Sequence, residues 1–186
     1  MINTSLQVRQ AVVEDYQQIA NLMFYEANVH RHLDWRTPLD WLGSPNYWVL
    51  EDAGQITAAL ACPQDPPQVA WIRLFGHLSH LDVTEAWSPL WDIARAQNVQ
   101  MAAIVVKHWF QNLLLSSGFE LKQNIVLLEL KKENFRFFPV PGNVRIRTMT
   151  ADDLPTVADL DIDAFGPFWH NSLDALIRAH AQAVQA

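Results

Sequence analysis

The chain has 186 residues, of which 50% are apolar, which is enough to bury a sizeable core in one domain or slightly more than one. Thirteen basic residues against 20 acidic ones give a net charge of −7, which argues against nucleic acid or an anionic membrane surface as the main partner. The single cysteine, Cys62, excludes an internal disulfide. Since the sequence has no signal-like N-terminus and no long apolar run, we expect a cytoplasmic protein.

The first part of the chain predicts a strand followed by two helices. Residues 6–11 alternate between polar and apolar side chains, as a short strand does. Residues 28–35 are expected to end the first helix, and residues 38–42 predict a second, short one. The apolar stripe of the first helix consists of Tyr16, Ile19, Ala20, Met23 and Ala27.

A hairpin and a central strand come next. Residues 47–50 and 56–61 predict two strands, and the turn between them has Gly54 at the position that needs positive φ. Prolines then interrupt the chain before residues 69–75, a mostly apolar, partly β-branched run. This run predicts a buried strand.

A helix is predicted to begin at Asp82, whose carboxylate is well placed to act as N-cap. This start leaves Pro89 in the helix interior, whereas a start at Ser88 would put Pro89 at the favoured first position. We prefer the earlier start, with a kink. Residues 101–106 then predict a buried strand that lies parallel to the central one.

The order of these elements resembles the GNAT superfamily of N-acetyltransferases. The likeness covers residues 6–132 and includes Gly118-Phe119, which resembles the Gly-Phe that follows the last helix of that family. Residues 119–122 and 125–131 are the two final strands of this pattern. The resemblance implies an α/β (α+β) fold with a mixed central sheet flanked by helices. It also implies acetyl-CoA as cofactor and, if the chain is active, a small-molecule amine or a peptide as acceptor.

The turn after the central strand occupies the position at which the family binds acetyl-CoA. The family signature there is Arg or Gln, two residues, Gly, one residue, then Gly or Ala, and this turn does not match it. A single glycine, Gly76, cannot bring several bare amides onto a pyrophosphate, and the carboxylate of Asp82 would take the place of a phosphate. The turn therefore lies at the cofactor position but lacks the glycines and free backbone amides that would bind the cofactor phosphates. Its residues are Leu78, Ser79, His80, Leu81 and Asp82.

Two further positions depart from the family pattern. The family often has an asparagine and, seven residues on, a tyrosine that acts as general acid, but these places hold Lys107 and Leu114. Leucine cannot donate a proton. His77 and His80 remain the candidate general bases if acyl transfer occurs. The sequence thus predicts a first unit that transfers no acetyl groups on its own.

Two alternatives to this reading stay open. One is a non-enzymatic ligand-binding or protein-interaction module on the same fold. The other is an intact acetyltransferase that binds CoA in an unusual way. A metal site is not expected, because no cysteine or carboxylate completes the closely spaced pairs His30 with His32 and His77 with His80.

Residues 146–160 repeat residues 8–22, the opening strand and helix, at a constant offset of 138 positions. We therefore expect a GNAT-like domain over residues 1–133, a linker at 134–143, and a strand and a helix of a partial second unit within 144–186. The strand at 144–149 and the apolar face of the helix at 151–168 should be docked, either on the same chain or in a swapped homodimer. The matching pairs are Val8 and Ile146, Arg9 and Arg147, Asp15 and Asp153, Ile19 and Val157, Ala20 and Ala158, and Leu22 and Leu160.

An aromatic cluster, residues 165–169, follows this last helix. It is interpreted first as packing beside an acidic, solvated helix face. The resemblance also implies that this end of the helix borders an acceptor cleft.

Overall fold

A five-stranded antiparallel sheet lies at the centre of the molecule, in the strand order β1-β3-β4-β6-β2. The computed structural model describes residues 6–126, 128–139 and 141–183. A second, two-stranded sheet pairs β5 with β7 in parallel. The strands are β1 (Gln7–Gln10), β2 (Val29–Arg31), β3 (Tyr47–Asp52), β4 (Gln55–Ala61), β5 (Val69–Trp71), β6 (Leu74–His77) and β7 (Gln100–Ala102).

Helices cover both faces of the large sheet. The first, α1, packs on one face against Tyr47 and Leu74, while α2 and α3 pack on the other face around Leu60 and Phe75. Two further helices, α4 and α5, follow at the C-terminal end. The structure therefore confirms the predicted α/β (α+β) fold class, with a central sheet flanked by helices. Among the described residues this central sheet is antiparallel and not mixed as predicted, because the parallel pair forms the separate two-stranded sheet. The helices are α1 (Tyr16–Tyr25), α2 (Val83–Arg95), α3 (His108–Ser116), α4 (Leu154–Trp169) and α5 (Leu173–Gln182).

Three local sequence signals are confirmed. Gly54 has φ 85° in the hairpin turn, and Gly118 has φ 90° where α3 ends. Helix α2 begins at Val83 with Asp82 as its N-cap and continues through Pro89. Each of these features depends on a few neighbouring residues, which is why the sequence alone predicts them.

The predicted central strand, residues 69–75, is divided into β5 and β6. The Ile72 N–H bonds to the Ala102 carbonyl beside β7, whereas the Arg73 N–H bonds to the Ala61 carbonyl at the end of β4. The chain thus changes its pairing partner between these two residues, from the small sheet to the large one. Pairing of β5 with β7 confirms the parallel arrangement that the sequence predicts, over three residues of each strand.

Strand β2 lies within residues 28–35, the segment that the sequence predicts only to end the first helix. It pairs antiparallel with β6, with His30 opposite Phe75. Three residues are too few to show the alternation that predicts a strand, so the strand exists only because an edge of β6 is available to it.

The strands predicted at residues 119–122, 125–131 and 144–149 are wrong for the described residues. The described residues of these stretches pair with no other strand, and most of their apolar side chains are exposed. Phe119 and Met149 are the partly buried exceptions, and Phe119 packs against Trp91. A favourable side-chain pattern forms a strand only where a neighbouring strand accepts its backbone hydrogen bonds. Large exposed side chains in the first two stretches are Leu121, Ile125, Val126, Leu128 and Leu130.

The C-terminal part is helical, and its sequence prediction is only partly correct. A short 3-10 helix, Ala151–Asp153, leads into α4, which is interrupted at Gly166, where φ is 73°. Helix α5 was not predicted. Leu154 is buried, but Leu160 is 63% exposed, so the expectation that the whole apolar stripe is covered is wrong.

The internal repeat has a counterpart in side-chain geometry. Arg9 makes a bidentate ion pair with Asp15, with N–O distances of 2.7 and 2.8 Å. Arg147 holds Asp153 in the same bidentate way, at 2.6 and 2.5 Å. In both copies the same aspartate oxygen also accepts the backbone N–H three residues earlier, from Val12 or from Thr150.

Gly76 is required where α1 crosses β6. A Cβ atom built on Gly76 would lie 2.5 Å from Leu22 Cδ2 and 3.3 Å from Val29 Cγ2. We expect Gly76→Ala to lower the free energy of unfolding by roughly 1–3 kcal/mol, because overpacking forces the helix or β2 to move. Urea denaturation measures this change, and Gly142→Ala, where nothing lies within 4 Å, is the matched control. Equal stability of the two variants would contradict the close approach.

Over the described part of the chain, no helix combines the length and apolarity needed to cross a bilayer.

Candidate functional site

The turn that joins β6 to α2 is the position of the predicted cofactor site, and carboxylates of the chain itself occupy it. The Ser79 N–H donates to Glu26 Oε2 at 2.8 Å. At the start of α2, Asp82 Oδ1 accepts from the N–H groups of Thr84, at 2.8 Å, and Glu85, at 3.4 Å. These backbone hydrogen bonds hold the pKa of Asp82 below its usual range. Two acidic side chains thus lie where an anionic ligand would need donors.

Other main-chain groups beside this turn are also used internally. The Leu78 N–H bonds to the Thr57 carbonyl at 2.8 Å, and the Leu81 N–H bonds back to the Leu78 carbonyl at 3.0 Å. Strand β6 is paired along one edge with β4 and along the other with β2. No edge of β6 is therefore free to pair with the amides of an extended ligand.

The two candidate general bases differ in their surroundings. His77 is buried, and its Nδ1 lies 2.9 Å from the Leu78 carbonyl oxygen. With Nδ1–H donating to that carbonyl, Nε2 keeps its lone pair, but this atom is buried and has no partner. His80 lies exposed in the turn. Neither ring lines the cavity described below or a smaller one bordered by Met23 and Lys107.

Of the two positions that depart from the family pattern beside α3, one is buried and the other is exposed. Leu114 is buried in the core beside Phe110, and Lys107 is exposed just before α3.

His30 is buried, stacks on Phe110 with ring centroids 4.1 Å apart, and has Nε2 3.1 Å from the Ile72 carbonyl oxygen. Among the described residues, no group of three or more His, Cys, Asp or Glu side chains could hold a metal ion.

A cavity of about 500 Å³ lies elsewhere, between the sheet and the C-terminal helices. Its walls come from the segment after β2, the loop before β5, β5 itself and the connection between α4 and α5. Sequence analysis missed this cavity, because its walls are far apart in the chain and only the folded structure brings them together. Its lining includes His32, Asp34, Trp35, Asp65, Trp71, Arg73 and Trp169.

Contacts between α4, α5 and the rest of the fold close one side of this cavity. Trp71 of β5 packs against Phe168, with ring centroids 5.2 Å apart, and against Trp169, at 5.1 Å. Arg36 reaches Asp174 of α5 at 3.8 Å. The aromatic residues at the end of α4 therefore pack against the first unit, and Trp169 also lines the cavity.

A buried ion pair lies in the wall of the same cavity. Arg73 Nη1 is 2.5 Å from Asp34 Oδ2, and the two side chains are only 8% and 13% exposed. Arg73 Nη2 also donates to the Asp65 carbonyl at 2.7 Å. Burial lowers the pKa of Arg73, while the carboxylates of Asp34 and Asp65 raise it.

No protein-family model matches the chain, and no curated protein matches it. Its fold is similar to that of several solved acetyltransferases. The aminoglycoside N-acetyltransferase AAC(6')-Iy in complex with CoA gives a TM-score of 0.49 at 10% identity, over 69% of this chain and 97% of that one. A predicted acetyltransferase from Clostridium acetobutylicum, with acetyl-CoA, gives 0.45 at 17% identity, over 67% and 96%. A ribosomal-protein-alanine N-acetyltransferase from Brucella melitensis biovar Abortus 2308 gives 0.42 at 12% identity, over 68% and 99%. At these identities the likeness concerns the fold alone.

Proposed function

We propose that this chain is a GNAT-like unit that does not transfer acetyl groups by itself and acts as a scaffold beside a second unit. One observation carries the proposal. The carboxylates of Glu26 and Asp82 bond to the backbone amides of Ser79, Thr84 and Glu85, where a cofactor phosphate would have to bind.

Electrostatics makes this turn unfavourable for acetyl-CoA. A pyrophosphate placed there would lie beside two acidic side chains, and two like unit charges at 4 Å repel by roughly 4 kcal/mol near a protein surface. The pantetheine arm, which carries amides, would find both edges of β6 already paired. Leu114 supplies no proton for a departing thiolate.

The second unit in this proposal begins with residues 144–169. The ion pair between Arg147 and Asp153 repeats the geometry of Arg9 with Asp15, including the backbone N–H three residues before the aspartate. This match supports the domain division that the sequence predicts, with residues 1–133 as the first unit and 134–143 as linker. A cytoplasmic location and homodimer formation remain predictions of the sequence.

An acetyl-transfer assay tests the proposal. We expect no release of free thiol from acetyl-CoA above background with a panel of polyamines, amino acids and peptides. Turnover with any of these acceptors would contradict the proposal, and His77→Ala and His80→Ala would then each be expected to lower the rate by roughly 10²-fold or more.

A matched variant separates charge from shape in a binding titration with acetyl-CoA. The double change Glu26→Gln and Asp82→Asn removes both negative charges, and an amide oxygen at each position can still accept the backbone N–H bonds. If the carboxylates exclude the cofactor, this variant binds acetyl-CoA more strongly than the unchanged protein. If neither protein binds acetyl-CoA, the pairing of β6 with β2, and not the two negative charges, prevents cofactor binding.

A second candidate function is a non-enzymatic ligand-binding module. The cavity of about 500 Å³ between the sheet and the α4–α5 connection favours it, because it has the size of a small-molecule site and combines aromatic walls with charged groups.

A further inference from the structure

A segment after α3 exposes a large amount of apolar surface. Residues 121–138, which we call the apolar segment, contain one short 3-10 helix, Lys132–Asn134, and no strand in their described part. Leu128 is 88% exposed and Phe137 is 83% exposed. The other exposed large apolar side chains of the segment are Leu121, Ile125, Val126, Leu130, Phe135 and Phe138.

The exposed apolar area of this segment has the size of a protein interface. At roughly 60–120 Å² for each aliphatic side chain, and somewhat more for each phenylalanine, the segment exposes on the order of 1,000 Å². The largest apolar patch on a monomer is roughly 300–600 Å², whereas a standard interface buries about 800 Å² on each partner. The segment therefore exceeds an ordinary surface patch.

Part of the apolar segment has the side-chain pattern of a strand but lacks a partner. Val126, Leu128 and Leu130 are spaced by two residues, so an extended backbone would place all three on one face. All three are exposed, and the described residues 121–126 and 128–131 pair with no strand. Such a pattern is stabilised when a neighbouring strand accepts its backbone hydrogen bonds.

Strand β7 has an edge to which no strand of the described residues is paired. Its other edge pairs with β5. Both faces of this part of the chain are packed, since Met101 and Ala103 contact the core beneath α2 and α3, while Ala102 and Ile104 pack beside Trp71. A further strand can therefore approach β7 only along its edge.

We propose that two copies of this chain associate through the apolar segment, with residues 125–131 of each copy adding as a strand to β7 of the other. The contact is reciprocal, so it closes as a twofold dimer in which both copies bury the same surfaces. Charge favours a second copy as the occupant. The apolar segment has four basic and two acidic side chains, whereas the whole chain has a net charge of −7, so the segment of one copy is attracted to the acidic surface of the other.

The mass of the unchanged protein tests the proposal without any added ligand, so the result is independent of the acetyl-transfer assay. Light scattering after size exclusion, over a concentration series, should reach twice the mass of one chain and then stay constant. A plateau is expected because the reciprocal contact occupies the β7 edge of both copies. The mass of one chain at every concentration, or a mass that continues to rise, overturns the proposal.

A charge placed in the apolar segment locates the interface. Leu128→Lys is expected to raise the dissociation constant of the dimer at least about tenfold, because an apolar side chain buried between the copies is replaced by a charged one. Val13→Lys is the matched control and should dimerise as the unchanged protein does. Val13 is 64% exposed and follows β1, at the edge of the large sheet opposite β2. Equal dimerisation of the two variants overturns the assignment.

Hydrogen–deuterium exchange tests the strand contact itself. The amides of residues 125–131 and of β7 should exchange more slowly above the dissociation constant of the dimer than below it, and this difference should be lost in Leu128→Lys. Slow exchange of both regions in the monomer would show that the segment pairs with β7 of its own chain, and would overturn the proposal.

A membrane surface is the alternative occupant that the basic and aromatic side chains of the segment require as a comparison. Vesicles of phosphatidylserine and phosphatidylcholine are the probe. We expect the dimer to stay in solution. Binding of the monomer to these vesicles, with loss of binding in Leu128→Lys, would assign the segment to lipid and overturn the proposal.

Discussion

Acidification from pH 6.5 to about pH 4 is expected to lower the free energy of unfolding by roughly 3 kcal/mol for each of two histidines, the buried His30 and the half-buried His32. Burial lowers the pKa of His30 to about 4 and that of His32 to about 3, from an ordinary value of 6.5. The nearby charges of Lys107 and Arg73 act in the same direction. Over most of this pH range both rings stay neutral in the folded protein, whereas in the unfolded chain they take up protons. Their contribution is therefore complete above pH 6.5 and is lost as the pH falls towards 4 and 3.

Urea denaturation at a series of pH values measures this loss. His30→Phe keeps a ring stacked on Phe110 but cannot take up a proton, so its stability should fall less steeply with acid than that of the unchanged protein. His80→Gln, at an exposed position, is the matched control and should keep the original slope. A parallel loss of stability in all three proteins would show that carboxylates, and not His30, dominate the acid response.

Removal of Asp34 is expected to cost roughly 3–5 kcal/mol of folding free energy. The carboxylate is the main counter-charge of Arg73, whose side chain is 8% exposed and whose Nε already lacks a hydrogen-bond partner. In Asp34→Ala the guanidinium stays buried with only the Asp65 carbonyl as acceptor. Thermal and urea denaturation measure the difference.

Two variants separate this effect from ordinary loss of a surface charge. Asp92→Ala breaks an exposed ion pair, in which the side chain of Asp92 is 60% exposed and that of Arg95 is 63% exposed. This change should alter the free energy of unfolding by less than about 1 kcal/mol. The double change Asp34→Leu and Arg73→Met removes both buried charges and should be more stable than Asp34→Ala alone. Equal stability of the double variant and Asp34→Ala would show that the cost arises from lost packing and not from an unpaired charge.

The features predicted correctly from the sequence are those that a few adjacent residues determine. The hairpin turn at Gly54 and the N-cap at Asp82 depend on local backbone angles and on side chains two or three positions away. The repeat of Arg9 and Asp15 at Arg147 and Asp153 was visible for the same reason, because each ion pair joins residues six positions apart.

The features that the sequence did not predict depend on distant parts of the chain. Strand β2 exists because β6 lies beside it, and the contact of Glu26 with Ser79 joins residues 53 positions apart. The cavity between the sheet and the C-terminal helices needs α4 and α5 docked against β5, which no periodicity indicates. Conversely, residues 125–131 have a strand pattern, but their described part, residues 125–126 and 128–131, has no neighbouring strand, so pattern alone overpredicts there.

The central claim is that the chain's own carboxylates close the cofactor turn. Isothermal titration of the unchanged protein with acetyl-CoA, up to millimolar ligand, tests it most directly. The account predicts no saturable heat, because Glu26 and Asp82 occupy the amides at this turn and β2 pairs with the edge of β6. A saturable isotherm that is weakened by a substitution in the turn, such as Ser79→Pro, would contradict it.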